Sequence, residues 1–258
     1  MKSAQDFFLS LLPQATEISK EVSRRFFKKP LESIGMISKA DASPVTAADL
    51  EIEAKLRELI EKNFPDHGII GEEHGNTRTD AEFVWVLDPI DGTKSFITGV
   101  PLFTTLISLM HNGEPQCGAI YQPILDELVW GNNKECFFNG SPTRMREKSA
   151  HADATLLITD ARHMAELHPK ADFTGLTKEV KFWRTWADGY GYALLATGYA
   201  DIMLDPVMNP WDIMAVVPVI RGAGGVATDF AGGDPVKGKS LIAATKTLHA
   251  SSLKKLFP

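Results

Sequence analysis

The chain has 258 residues, of which 27 are basic and 33 acidic, giving a formal charge of −6. With 44% hydrophobic and 23% charged residues it has a globular composition and enough length to bury a core without covalent staples. The acidic balance argues against nucleic acid or an anionic membrane surface as the main partner, while an anionic substrate stays compatible once cations reverse the local sign. Cys117 and Cys136 stand in no zinc-ligand or redox spacing. Reduced thiols in a cytoplasmic protein are therefore expected, and no disulfide scaffold. The apolar patch Phe7 to Leu12 is too short for a secretory signal, and no apolar run approaches the roughly 20 residues of a membrane helix.

The spacing of Phe7, Phe8, Leu11, Leu12, Ala15, Ile18 and Val22 predicts an amphipathic helix to about Phe27, ended by Lys28-Lys29-Pro30. Leu50, Ile52, Leu56, Leu59 and Ile60 predict a second helix from Ala47 to Asn63, with Thr46 as N-cap and Asp49 three residues on. Gly68-Ile69-Ile70-Gly71 reads as a short strand ending in Glu72-Glu73, and Phe83 to Leu87 as a buried strand broken at Asp88-Pro89. Strands from Thr104 to Met110 and Gly118 to Gln122 are joined by the hairpin signal Asn112-Gly113. Leu128 to Gly131 and Glu135 to Phe138 extend this sheet, with Asn139-Gly140 as a further turn.

Beyond about Ser149 the pattern alternates again. Ala154 to Thr159, Ala200 to Leu204, Val226 to Asp229 and Ser240 to Ala244 read as strands; Tyr190 to Thr197 and Trp211 to Arg221 read as helices. The polar region between reads as loop and helix. No repeat or linker divides the chain, so the expectation is one mixed α/β body of two packed halves, 1–148 and 149–258.

The position of the acids carries the chemistry. Asp88-Pro89-Ile90-Asp91-Gly92-Thr93 directly follows a buried strand. Pro89 fixes one backbone angle, Gly92 permits close backbone approach to a ligand, and a short helix starting at Thr93 offers N–H groups to an anion. Glu72-Glu73 ends another strand, and Asp212 opens a helix after Asn209-Pro210-Trp211. Two bare carboxylates 4 Å apart repel by about 4 kcal/mol at an effective dielectric near 20. If these ends converge, the cluster must take up protons or bind cations. All-oxygen ligands favour Mg²⁺ or Mn²⁺ over zinc, and Mg²⁺ with few protein ligands ordinarily also binds substrate phosphate. An Asp-Gly pair alone is usually a turn and a Glu-Glu pair a solvated surface; their shared position after apolar strands is what points to a site.

Four segments in order make the chain resemble the inositol monophosphatase-like family of Mg²⁺-dependent, lithium-sensitive phosphatases. These are Pro44 to Asp49, Gly71 to His74, Trp85 to Phe96, and Trp211-Asp212 with Gly222-Ala223-Gly224-Gly225. The resemblance implies a layered αβαβα sandwich, commonly dimeric. It implies that Glu72, Asp88 and the Ile90 carbonyl hold a first Mg²⁺, and Asp88, Asp91 and Asp212 a second. Asp49 and Thr93 would position and activate the attacking water, with a weaker third ion near Glu72 and Asp49, Mn²⁺ being a possible substitute. Glu73 would stand behind the ligands, and the Gly92 and Thr93 N–H groups would cradle the phosphate. Water would attack phosphorus directly, with no phosphoenzyme.

For the substrate, the run Arg184 to Tyr192 resembles the histidinol-phosphate phosphatase branch, although Ala187 and Gly189 stand where Gly and Cys are usual there. Asp205, seven residues before Asp212, matches the family's substrate-binding acid. Histidinol phosphate carries an ammonium and an imidazole, which suit Asp188 and Asp205, with Arg184 a further candidate contact. An inositol or other sugar phosphate, offering only hydroxyls, needs no second carboxylate and is the alternative.

Rival patterns fit less well. A haloacid-dehalogenase-type phosphatase needs Asp-x-Asp with a nucleophilic first Asp, whereas two residues separate Asp88 from Asp91. Gly222-Ala223-Gly224-Gly225-Val226-Ala227 fits a dinucleotide fingerprint only in the reverse context, after a helix and before a strand. An inactive binding homologue would have no need to keep every acid. His163 and His168 read as surface positions and His74 as solvated or behind the site. Phe182, Trp183 and Trp186 read as core or subunit interface.

Overall fold

In the computed structural model, which describes residues 3–39 and 44–258, Ser3 caps the first helix, α1 (Ala4–Phe26). Its hydroxyl accepts the Asp6 N–H while the Asp6 carboxylate accepts the Ser3 N–H. Phe8, Leu11, Leu12, Ala15 and Val22 are its buried stripe, as the periodicity predicts. A short ribbon, β1 (Ile37–Ser38) with β2 (Pro44–Val45), leads into α2 (Ala47–Asn63). Thr46 and Asp49 form the same reciprocal cap there, so the predicted start and end of α2 both hold.

The large sheet is built from β3 (Gly68–Gly71), β4 (Asn76–Thr77) and β5 (Phe83–Asp91), then, after the short α3 (Thr93–Ile97), β6 (Thr104–His111) and β7 (Glu114–Gln122). It is completed by β8 (Glu127–Gly131), β9 (Cys136–Phe138) and β10 (Ser141–Pro142). Its strand order is β10-β9-β8-β7-β6-β5-β3-β4, and only β3 and β5 run parallel. Both hairpin turns form as their Asn-Gly pairs require: Asn112 and Gly113 have φ of 52° and 82°, Asn139 and Gly140 of 46° and 80°.

The remaining elements are β11 (Thr155–Ile158), α4 (Ala161–Leu167), α5 (Phe173–Glu179), β12 (Phe182–Arg184) and α6 (Asp188–Ala196). They continue with β13 (Ile202–Asp205), α7 (Pro210–Gly222), β14 (Val226–Thr228), β15 (Leu241–Ala244) and α8 (Lys246–Leu256). The smaller sheet runs β12-β11-β13-β15-β14, parallel through β13 and antiparallel beyond.

Helices α1 and α2 cover one face of the large sheet, α6 and α7 lie between the sheets, and α5 and α8 close the outer face of the small one. This is the αβαβα layering expected. The central layer is the most apolar: α7 buries Ile213 to Ile220 without interruption, because a helix enclosed by two sheets has no wet face. None of the described helices is long and apolar enough to cross a membrane.

Four differences from the sequence reading have physical causes. Strand β5 does not break at Asp88 but continues to Asp91 through an irregularity between these residues, since Asp88 pairs with Leu106 and Asp91 with Thr104. Pro89 is tolerated there because it has no N–H to give to the ladder, and its carbonyl accepts the Thr105 hydroxyl at 2.7 Å. Phe182-Trp183-Arg184 are not core but the exposed edge strand β12, where pairing on one side leaves the other to solvent. His163 lies on α4 and His168 ends it, instead of standing in a loop, with His168 Nε2 3.0 Å from the Pro206 carbonyl. Finally, α8 was not anticipated; its buried Leu248, His249, Ser252 and Leu256 mix polar and apolar types and weaken the periodic signal.

Candidate active site

Parallel pairing of β3 and β5 brings their carboxyl ends to one edge. Gly71 is in register with Leu87, and the Glu72 N–H donates to the Leu87 carbonyl at 3.2 Å. Glu72 therefore emerges beside Asp88. Beyond the irregularity in β5, Gly92 adopts φ 89° as N-cap of α3, so the chain turns sharply and Thr93 begins the helix. The first turns of α2 and α7 bring in Asp49 and Asp212, the first residue of α6 is Asp188, and the last of β13 is Asp205. Helix N-termini favour negative charge, which explains how several acids are held together.

Asp88, Asp91 and Asp212 each offer an oxygen within 4.8 Å of the others. Asp88 is 2% exposed and its Oδ1 has no hydrogen-bond partner. A buried carboxylate oxygen without a donor is costly, and a hard cation is the partner this donor set fits. The electrostatics agree. Burial, then the charges of Glu72, Asp91 and Asp212, push the Asp88 carboxyl well above its ordinary range. Burial, then Asp188 and Asp212, do the same at Asp91. Burial raises Asp212 to about 7 against the Asn209 N–H that it accepts at 2.7 Å.

Asp49 is fully buried, and burial raises it to about 7 against the hydrogen bonds from Thr46. The Thr93 hydroxyl lies 3.4 Å from Asp49 Oδ1 and 3.0 Å from the Ile90 carbonyl, so two acceptors compete for its single proton. Glu72 and Glu73 both accept from Lys39 Nζ, at 2.8 and 2.7 Å.

A small cleft runs from this cluster towards the second sheet, lined by Asp91, Asp212, Asp188, Asp205, Thr159 and Tyr192. Asp205 is 5% exposed and burial drives its carboxyl well above its ordinary range. Burial raises Asp188 to about 6, opposed by Lys94. The structure thus brings Asp49, Glu72, Asp88, Asp91, Thr93 and Asp212 to one place, with Asp188 and Asp205 adjoining. Arg184 does not line the cleft: its guanidinium stacks on the rings of Phe182 and Trp186 at 5.4 and 5.7 Å. Gly222 to Gly225 form the turn from α7 to β14, Gly224 at φ 88°, and not a nucleotide loop.

Three contributors escaped the sequence reading. Lys39 lies in a short segment, mixed in polarity, that shows no helical or strand periodicity. Glu53 is a carboxylate on the apolar stripe of α2 between Ile52 and Leu56, an anomaly that was a usable signal. Gly189 donates its N–H to Asp91 Oδ2, and a Cβ there would meet Thr104 Oγ1 and lie 2.6 Å from Asp91 Oδ2.

The inositol monophosphatase family description matches residues 5–257. The bifunctional phosphatase IMPL2, chloroplastic, of Arabidopsis thaliana is 41% identical over 230 residues, 88% of this chain and 65% of that relative's length. A histidinol-phosphatase of Chlorobaculum parvum is 33% identical over 242 residues, covering 93% of each chain. Among solved structures, an inositol monophosphatase from Zymomonas mobilis superposes with a TM-score of 0.84 at 32% identity, covering 98% of this chain and 99% of that one.

Proposed function

Because the chain belongs to the inositol monophosphatase family, we propose that it is a metal-dependent phosphate monoester hydrolase whose substrate is histidinol phosphate, cleaved by direct attack of water on phosphorus. The observation that carries the substrate is the pair of carboxylates, Asp188 and Asp205, in the cleft that adjoins the Asp88, Asp91 and Asp212 cluster. An ammonium and an imidazole N–H delivered there give partners to two acids whose burial is otherwise costly. The likeness to the Chlorobaculum parvum histidinol-phosphatase supports the same reading.

In this reading Glu72, Asp88, the Ile90 carbonyl, Asp91 and Asp212 hold two Mg²⁺ ions, with a third more weakly bound near Asp49 and Mn²⁺ able to substitute. When bound, the ions neutralise phosphoryl charge and lower the pKa of water. Asp49 takes the water's proton, with Thr93 as the hydroxyl relay between them. The Gly92 and Thr93 N–H groups face the phosphate, which the left-handed Gly92 makes possible. Glu73 holds Lys39 in place beside Glu72. The half 1–148 supplies the main metal motif and the phosphate contacts, and the half 149–258 adds Asp212 to the metal site and reads the substrate body.

The exposed aromatic edge at Phe182, Trp183 and Trp186 supports a homodimer, which sedimentation of the purified protein measures. A cytoplasmic site of action belongs to the same reading and is supported by Cys117 and Cys136, which are buried and not joined to each other.

A second reading, an inositol or other small sugar phosphate, is favoured by the likeness to the Zymomonas mobilis structure. Turnover of histidinol phosphate against inositol 1-phosphate under Mg²⁺ separates the two. Preference for histidinol phosphate is expected, with Asp188→Asn and Asp205→Asn each raising its KM by about tenfold or more. A preference for inositol 1-phosphate overturns the assignment.

A further inference from the structure

Glu53 sits one helical turn beyond Asp49 on the same buried face of α2 and is 0% exposed. A carboxylate in such a position is costly unless its oxygens are well supplied with donors. They are. Oε2 accepts the Glu73 N–H at 2.7 Å; Oε1 accepts the His74 N–H at 3.0 Å and the Arg57 Nε–H at 2.7 Å. His74 ties the same segment to α2 again, its Nε2–H donating to the Leu50 carbonyl at 2.9 Å. Arg57 reaches further along the loop, donating to the Gly75 carbonyl and lying 3.4 Å from the Thr77 hydroxyl.

The strand end is shaped around this pair. At Gly71 any Cβ would run into Glu53 Oε1 and come within 2.6 Å of Arg57 Nη2. The backbone that carries Glu72 is thus held on both sides. Before it, the Glu72 N–H bonds to Leu87 of β5; after it, the next two N–H groups bond to Glu53 of α2.

We propose that Glu53 is a positioning residue for the metal site: it fixes the Glu72 carboxylate relative to Asp49 and so sets divalent-ion affinity and not the chemical step. The inference rests on the reading of Glu72 as a metal ligand. Asp49 and Glu53 are spaced i, i+4 on one helix, so a single rigid element carries the group that takes the proton and the clamp on the ligand. Glu53 itself bonds to the Glu73 and His74 backbone and to Arg57.

The test is Glu53→Gln, whose amide must turn an NH₂ towards one of the donors it replaces. Mn²⁺ binding to the whole protein, followed by the electron spin resonance of free Mn²⁺ without substrate, is expected to weaken by about 10- to 100-fold. The Mg²⁺ midpoint for hydrolysis should shift by the same factor, while kcat at saturating Mg²⁺ stays within about threefold of wild type. An unchanged Mn²⁺ affinity in folded Glu53→Gln overturns the proposal. So does a loss of kcat at every Mg²⁺ concentration with affinity intact. If Glu53→Gln does not fold, Glu53→Asp keeps the charge but draws the carboxylate back from the Glu73 and His74 N–H groups, and unchanged Mn²⁺ affinity in that folded variant refutes the proposal equally. Glu72→Gln distinguishes the underlying reading: if it leaves Mn²⁺ binding as in wild type, Glu72 is not a ligand.

Discussion

The ammonium of Lys39 lies 2.8 Å from Glu72 Oε1. It also meets Glu73, so one cation just after β1 satisfies both acids that follow β3. A lysine here occupies ground that a divalent ion must contest if it is to use Glu72. Lys39→Met is therefore expected to lower the Mg²⁺ concentration needed for half-maximal hydrolysis. A partly exposed ion pair contributes about 1 kcal/mol or less, which bounds the change at roughly fivefold. Titrating activity with Mg²⁺ checks it; a midpoint that rises would mean that Lys39 holds Glu72 in its productive position.

Asp88 is the acid with the least alternative. Its Oδ1 has no partner, and two other carboxylates lie within 4.8 Å. Asp88→Asn keeps the shape, removes a charge repelled by its neighbours, and leaves a much poorer cation ligand. Hydrolysis should fall by at least about a thousandfold, while the Tm of the metal-free protein equals or exceeds wild type. A stable variant with full activity would refute the role of Asp88 in holding metal.

Metal-free stability should fall as pH rises through the acid cluster. Asp49 and Asp212 titrate at about 7 and Asp188 at about 6 in the folded chain, against roughly 3.9 for an unfolded aspartate. Between those values the folded state retains protons that the unfolded state has released. Their contribution is full below about pH 4 and is lost as pH climbs to about 7. Divalent ions replace these protons. Scanning calorimetry should then show a Mg²⁺-induced rise in Tm that is larger at about pH 8 than at about pH 5. An equal rise at both pH values would mean that the ions bind elsewhere.

Gly189 admits no side chain at its present spacing. A Cβ would press on Thr104 and on the Asp91 carboxylate that the Gly189 N–H now holds. Gly189→Ala should displace Asp91 and weaken Mg²⁺ activation by about tenfold or more. An unaltered Mg²⁺ midpoint would show that Asp91 can relocate without loss of binding.

What could be read directly from the sequence is what local physics controls. The α2 cap follows from Thr46 and Asp49, the hairpins from Asn112-Gly113 and Asn139-Gly140, and the buried strand from Phe83 to Leu87. The acids after β3 and within β5 stood out because charge at the end of an apolar run has few bland explanations. Resemblance to a family supplied the αβαβα layering, which periodicity alone does not determine.

Only tertiary structure decided the rest, because the interactions concerned join residues far apart in the chain. Lys39 meets Glu72 across 33 positions, and Glu53 reaches Glu73 and His74 across 20 and 21. Phe182, Trp183 and Trp186 read as core or subunit interface by composition; the fold removes the first alternative, because β12 forms the end of its sheet among the described residues. Sequence determines which groups are available and how each short segment folds. The energy of a buried charge depends on the donors and charges that the folded chain places around it, and those arrive from everywhere along its length.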